Sequence, residues 1–192
     1  KNQLIDAVFH SSSGGRTENS GQVWKYQLPY LKSVIDYDQN GPKYRWTNKF
    51  NSGELDKIFP DLGVLKSIQI INKSNTDRVL KIKLYGTNLN RNISGKSLRE
   101  KLKLLSTKFE VDLKFEEIKF DNKFNIDNKV FNDIAPQPLP EIPKDYFLLV
   151  RGYGAGHGVG MSQWGAKAMA ERGSSFRKIL KHYYTGVQIK TY

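Results

Sequence analysis

Gly152-Tyr-Gly-Ala-Gly-His-Gly-Val-Gly-Met-Ser-Gln-Trp-Gly165 is the stretch on which the reading of this 192-residue chain turns. Six glycines (Gly152, Gly154, Gly156, Gly158, Gly160 and Gly165) enclose one imidazole, His157, and one carboxamide, Gln163. Glycine accepts positive φ and lets the backbone approach another group closely. The pattern therefore predicts a backbone shaped against something; the plain alternative is a Gly-rich surface turn. Ala166–Arg172 is a good helix former, and Gly173 stands where a helix ends in the left-handed conformation. The turn is expected to carry Gly156, His157, Gly158, Gly160, Met161, Ser162, Gln163 and Trp164 to a helix N-terminus, where unpaired N–H groups can hold ligand oxygens.

Moving outward, Tyr146–Val150 reads as a buried strand feeding that turn, and Ser174 or Ser175 caps a second helix that ends at Thr185-Gly186. Phe109–Phe115 alternates as a strand. Val64–Ile71 and Arg78–Tyr85 read as strands joined by 72–77, with Val79, Ile82 and Leu84 buried against solvated Lys81 and Lys83. Ser52–Phe59, with its Ser cap and Pro60 stop, and Ser97–Leu104, with leucines at helical spacing, read as helices. Leu4–Ser11 is β-prone. Residues 116–144 are rich in Asp, Asn, Lys and then Pro, and read as an insertion ending in an extended linker. The fold class is α+β: a mostly antiparallel sheet, a few helices, and a Gly-rich loop leading into a helix near the C-terminus.

A second polar constellation follows the first strand: His10, Ser11, Ser12, Ser13, Gly14, Gly15, Arg16, Thr17 and Glu18. Arg16 can fork onto a ligand carboxylate or pair with Glu18. His157 can orient a hydroxyl or relay a proton, or else hold the glycine turn in shape through backbone hydrogen bonds. Gln163 suits vicinal hydroxyls or an N-acetyl group; Ser162 serves equally well as a helix cap. Trp24 and Trp164, beside the two motifs, are the aromatics expected to touch a ligand. The two motifs are expected to wall one cleft, with His10 near His157. No Gly-x-Ser-x-Gly elbow supports a serine hydrolase.

With 31 basic and 19 acidic residues the formal charge is +12, which points to an anionic partner. The lysines are dispersed, and no zinc-finger spacing or RNP-type strand is present, so nucleic acid is not the expected partner. There is no run of about 20 apolar residues to cross a membrane. The chain has no cysteine, so disulfides and thiolate metal sites are excluded, and with three histidines neither a structural zinc nor a cofactor is expected. No initiator Met or apolar leader opens the sequence, and Leu4–Phe9 reads as a strand already under way, as in a fragment.

The stretch from Gly156 to Gly186 resembles the C-terminal motif of the stage II sporulation protein D family (SpoIID, also called the LytB or amidase-enhancer family). Ala7–Asn19 with Trp24 and Pro29–Val34 resembles a second element of that family. Ile93–Leu102 with Leu105–Phe109 resembles a third, weaker one. The three occur in the family's order and span nearly all of residues 1–192. The resemblance implies a peptidoglycan lytic transglycosylase that acts on glycan strands stripped of stem peptides. Such an enzyme cleaves between N-acetylmuramic acid and N-acetylglucosamine and leaves an anhydromuramoyl end.

One glutamate of raised pKa suits both steps, protonating the leaving oxygen and then assisting the 6-hydroxyl. In the family that glutamate precedes the Ala7–Ser11 strand, so it is expected upstream of Lys1, with Glu18 the fallback within the chain. Relatives with a Cys/His zinc site near the Ser-Gly-Gly segment differ from this chain. The resemblance also implies an extracytoplasmic, cell-envelope location. The alternative reading is a non-catalytic wall-binding module that enhances a partner amidase.

Overall fold

The computed structural model describes residues 3–115 and 145–190; the expected insertion and linker at 116–144 lies outside the described residues. In chain order the elements are β1 (Phe9–His10), α1 (Ser20–Val23), β2 (Arg45–Asn51), α2 (Ser52–Ile58), β3 (Leu65–Lys73), β4 (Val79–Gly86) and β5 (Asn90–Ser94). There follow α3 (Gly95–Lys101), β6 (Phe109–Phe115), β7 (Tyr146–Tyr153), β8 (Met161–Ser162), α4 (Gln163–Glu171) and α5 (Phe176–Tyr183). Two three-stranded antiparallel sheets, ordered β2-β7-β6 and β3-β4-β5, stand beside a short parallel pair of β1 and β8. The class is α+β with mostly antiparallel sheets.

Helices α2 to α5 each begin on a polar cap whose side chain satisfies an amide left free by the first turn, whereas Asn19 ahead of the four-residue α1 makes no such bond. Asn51 accepts from the Glu54 amide while Glu54 reaches back to the Asn51 amide, so the cap of α2 is Asn51 rather than the expected Ser52. Ser94, Ser162 and Ser175 cap α3, α4 and α5. Gly173 and Gly186 adopt φ of 80° and 75° just beyond the last two helices, as their places in the sequence require.

The two larger sheets, α2 and α3 bury one core that includes Leu55, Leu65, Ile82, Leu84, Leu98, Phe109, Leu148 and Val150. A second, smaller core gathers Leu31, Val159, Met169, Ile179, Tyr183 and Tyr184 beneath α4 and α5. Strand β7 leaves the first core and runs straight into the glycine loop, which crosses to the second. Position 152 has to be glycine here, because a Cβ would fall 2.1 Å from the Trp46 ring of the neighbouring strand.

Two sequence expectations need correction, and two strands were not anticipated. Leu4–Ser11 is a strand only at Phe9–His10, because its partner β8 is two residues long; Leu4 is 84% exposed. Strands β2 and β5 lack an apolar run. Both are sheet edges, so one flank meets solvent and polar residues suffice. Helix α3 starts two residues before the expected Ser97, on its Ser94 cap.

Leu98 is fully buried in the first core. Leu98→Ala is expected to cost about 2–5 kcal/mol of unfolding free energy, read by urea denaturation. A loss below about 1 kcal/mol would mean that α3 does not close that core.

Candidate functional site

The two glycine-bearing motifs are knitted together by backbone. Ser12 and Ala155 exchange amide bonds (3.1 and 2.7 Å), and the Glu18 amide donates to Gly158 O at 2.7 Å. Gly154, Gly156, Gly158 and Gly160 all hold positive φ, between 71° and 110°. The contacts explain the residue type. A Cβ at Gly154 would lie 2.6 Å from Ser12 O, one at Gly156 2.8 Å from His10 Cβ, and one at Gly160 2.1 Å from Val8 O.

The hydroxyls of the first motif turn inward onto carboxylates. Ser12 Oγ donates to Asp38 Oδ2 at 2.5 Å, and the Gly14 and Gly15 amides donate to the same carboxylate at 2.8 Å each. Ser13 Oγ and the Tyr183 hydroxyl donate to Asp36 at 2.6 Å, and the Tyr37 amide adds a third bond. Glu18 accepts from Ser74 Oγ at 2.5 Å, from Thr76 Oγ1, and from the Asn19 amide at 2.8 Å. All three acids are almost fully buried. Burial and Asp36 push the Tyr183 hydroxyl far above its ordinary pKa, so it stays a donor.

One cation is buried with them. Arg78, 2% exposed, donates from Nη2 to Ser13 O at 2.8 Å and lies flat on Gly158, where a Cβ would fall 2.2 Å from Nη2. Burial lowers its pKa to about 10, with the charge of Glu18 opposing that shift. His10 Nδ1 bonds Val159 O at 3.1 Å, while His10 Nε2 and the Nε and Nη1 atoms of Arg78 have no hydrogen-bond partner in the described structure. Burial first, then the charge of Arg78 and the neighbouring His157, lower the His10 pKa to about 3. Burial also lowers that of His157, so both rings are neutral near pH 7.

His10 and His157 do meet: their ring centroids are 5.5 Å apart. His157 Nδ1 accepts from the Val159 amide at 3.1 Å, so in the neutral ring the proton sits on Nε2 and the imidazole holds the turn in shape. Its ring also meets Trp24, with centroids 5.2 Å apart, and hydrogen-bonds the Phe9 backbone. Trp24 and His157 open on a groove of about 600 Å³, also lined by Asp6, Ala7, Val8, Phe9, Leu28 and Leu31. The groove wall at 6–8 is not a strand. It is pinned by the Asp6 amide donating to the Tyr30 hydroxyl (3.0 Å) and by the Tyr184 hydroxyl donating to Val8 O (2.9 Å).

Several residues expected at the ligand are engaged by the protein itself. Ser12, Ser13 and Thr17 are buried, with Thr17 Oγ1 accepting from the Val34 amide. Gly14 and Gly15 spend their amides on Asp38. Arg16 does not pair with Glu18; it is exposed, with Nε on Ser33 Oγ at 3.0 Å. Glu18 is buried under its three donors, which removes the fallback acid from the groove.

The helix N-terminus is closed by the protein, because the Trp164 amide donates to Ser11 O and the Gly165 amide to Ser162 Oγ. Ser162 is therefore a cap, and half-buried Met161 donates its amide to Val8 O. Gln163 is exposed, and Trp164 packs near Gly41 rather than in the groove. His10 gives Nδ1 to Val159 O, and no cluster of three or more metal-ligating side chains occurs among the described residues.

Asp36, Asp38, Arg78, Phe9 and Asp6 went unmarked in the sequence. Three consecutive serines signal a need for acceptors, and Asp36-Tyr-Asp38 could have been read as supplying them. Arg78, at the start of a strand, carries no such signal.

Because the folded-state pKa of His10 lies below its ordinary 6.5, the unfolded chain takes up the proton first. Stability from this group is full above about pH 6.5 and is lost as pH falls toward 3. Between about pH 6 and pH 4 the wild type is expected to lose about 1.4 kcal/mol per pH unit more than His10→Gln, read by denaturation at each pH. Equal slopes would show that His10 is not held neutral.

No family model matches the chain. It is 35% identical over 192 residues to stage II sporulation protein D of Bacillus amyloliquefaciens and 34% identical over 191 residues to that of Bacillus subtilis (strain 168). In both cases 98% of this chain and 46% of the relative are covered. It is 28% identical over 217 residues to the amidase enhancer of Bacillus subtilis (strain 168), covering 98% of the chain and 30% of that relative. The chain thus spans less than half the length of these curated relatives. Over nearly its whole length, the chain is similar to proteins named stage II sporulation protein D and amidase enhancer.

Proposed function

We propose that this chain is the glycan-contacting part of a cell-wall protein, and that the groove beside Trp24 and His157 receives a peptidoglycan glycan strand. The observation that carries the reading is the half-exposed indole of Trp24 against a neutral, backbone-locked imidazole, opening on a groove of about 600 Å³. That volume falls in the range of small-ligand sites, and an exposed aromatic face beside polar groups suits a sugar ring. The charge of +12 suits an anionic wall polymer. No helix among the described residues is long and apolar enough to cross a membrane. The proposed location is the cell envelope, outside the cytoplasm.

The reaction proposed for the whole protein is lytic transglycosylation of stem-peptide-free strands, with an anhydromuramoyl product. In this reading the groove holds and orients the strand. His157, with Nδ1 engaged by the Val159 amide, is a wall rather than a proton carrier. The acid that protonates the glycosidic oxygen is expected in a segment preceding Lys1, as the family resemblance implies. The relative named amidase enhancer, and the burial of Glu18 away from the groove, favour a second reading: a wall-binding module that stimulates a partner amidase.

The test is turnover of stem-peptide-free glycan strands, with mass spectrometry of the products, by this chain and by a form extended upstream. Anhydromuramoyl products from the extended form alone are expected. Retained strand binding with no product from either form would select the amidase-enhancing reading. Trp24→Ala is expected to weaken strand binding roughly tenfold while leaving the fold intact. Unchanged affinity in that variant would remove the groove from the proposal.

A further inference from the structure

Among the described residues that line the groove, Asp6 supplies the only carboxylate and there is no Lys or Arg. In a chain with 31 basic and 19 acidic residues, that local charge runs against the whole. Asp6 is exposed and takes no part in the ion pairs found among the described residues, which are Arg91–Asp61, Lys114–Asp112 and Lys167–Glu171. Its backbone is held from both sides: its amide donates to the Tyr30 hydroxyl at 3.0 Å, and its carbonyl accepts from the Val8 amide at 2.9 Å. The remaining titratable lining group, His157, is neutral near pH 7. Wherever the carboxylate swings, it is therefore the one formal charge that the described residues bring to the groove.

An ionised carboxylate only accepts hydrogen bonds, so it calls for hydroxyl or amide donors on the ligand and repels a ligand carboxylate. Trp24 and Phe9 present exposed aromatic surface at the groove, and half-buried Leu28 adds an apolar surface suited to an acetyl methyl. On the glycan reading above, the strand alternates an amino sugar that carries a lactyl carboxylate with one that carries none. We propose that Asp6 is a specificity-determining residue and that this groove takes the uncharged N-acetylglucosamine unit, leaving the carboxylate-bearing unit to lie outside it. Such an arrangement also sets the register of the strand, since only every second sugar can enter.

Titrations followed by NMR of the full 192-residue chain, with N-acetylglucosamine and with N-acetylmuramic acid, test this directly. The wild type is expected to prefer N-acetylglucosamine roughly tenfold. Asp6→Asn is expected to weaken N-acetylglucosamine binding severalfold and strengthen N-acetylmuramic acid binding, bringing the ratio close to one; Asp6→Glu is expected to restore the preference. A structural role would weaken both sugars equally, and that outcome, or an unchanged ratio in Asp6→Asn, overturns the inference while leaving the glycan reading standing. Failure of the wild type and the Trp24→Ala variant alike to bind either sugar sinks the glycan reading, and this inference with it.

Discussion

Asp38 accepts from the amides of Gly14 and Gly15 and from the hydroxyl of Ser12, and the rest of the site depends on that arrangement. A carboxylate taken out of water is costly unless its oxygens are fully bonded. Here Asp36, Asp38 and Glu18 are all buried, and each is met by at least three donors from the protein. The serine and glycine content of the first motif follows from this requirement. Two successive amides can converge on one carboxylate because Gly14 and Gly15 hold φ of 76° and 93°, a conformation that residues with a Cβ avoid.

The same polar framework shapes the glycine loop. Arg78 is driven into the junction from the start of β4, and its guanidinium rests on Gly158 while it bonds Ser13 O. It thereby ties both motifs to the first core, even though its own sequence neighbourhood belongs to neither. Lys108 adds a second brace, donating from Nζ to Gly14 O at 3.0 Å. A buried guanidinium without a carboxylate in contact also acts through space: its charge helps keep His10 and His157 neutral. The histidines are thus conditioned as hydrogen-bonding struts, and proton transfer near neutral pH is the role the environment least favours.

What remains for a ligand is the rim of this framework. Trp24, Phe9 and Asp6 are exposed at the groove, while Ser12, Ser13, Thr17 and Glu18 behind it are sealed. A wall whose carboxylates are all bonded from within, with a few exposed groups, costs little to order when a ligand arrives. The tyrosine hydroxyls of Tyr30 and Tyr184, bonded to the backbone at Asp6 and Val8, extend that rigidity to a segment with no strand partner of its own.

Periodicity and local chemistry alone revealed the strands β3, β4, β6 and β7, the four longer helices, their serine caps at α4 and α5, and the closeness of the two glycine motifs. Those features rest on neighbours a few residues apart, or on glycines whose residue type betrays a close approach. The sequence also singled out Trp24 and His157. It could not show which way each polar side chain faces, because Ser12 and Ser13 look the same whether they meet a sugar or Asp38 and Asp36. Only the tertiary structure brought Asp36, Asp38 and Arg78 to the motif from 23 to 65 residues away. Burial there decided that the hydroxyls belong to the carboxylates, since buried charges must be bonded first, and left the groove to the residues that stay exposed.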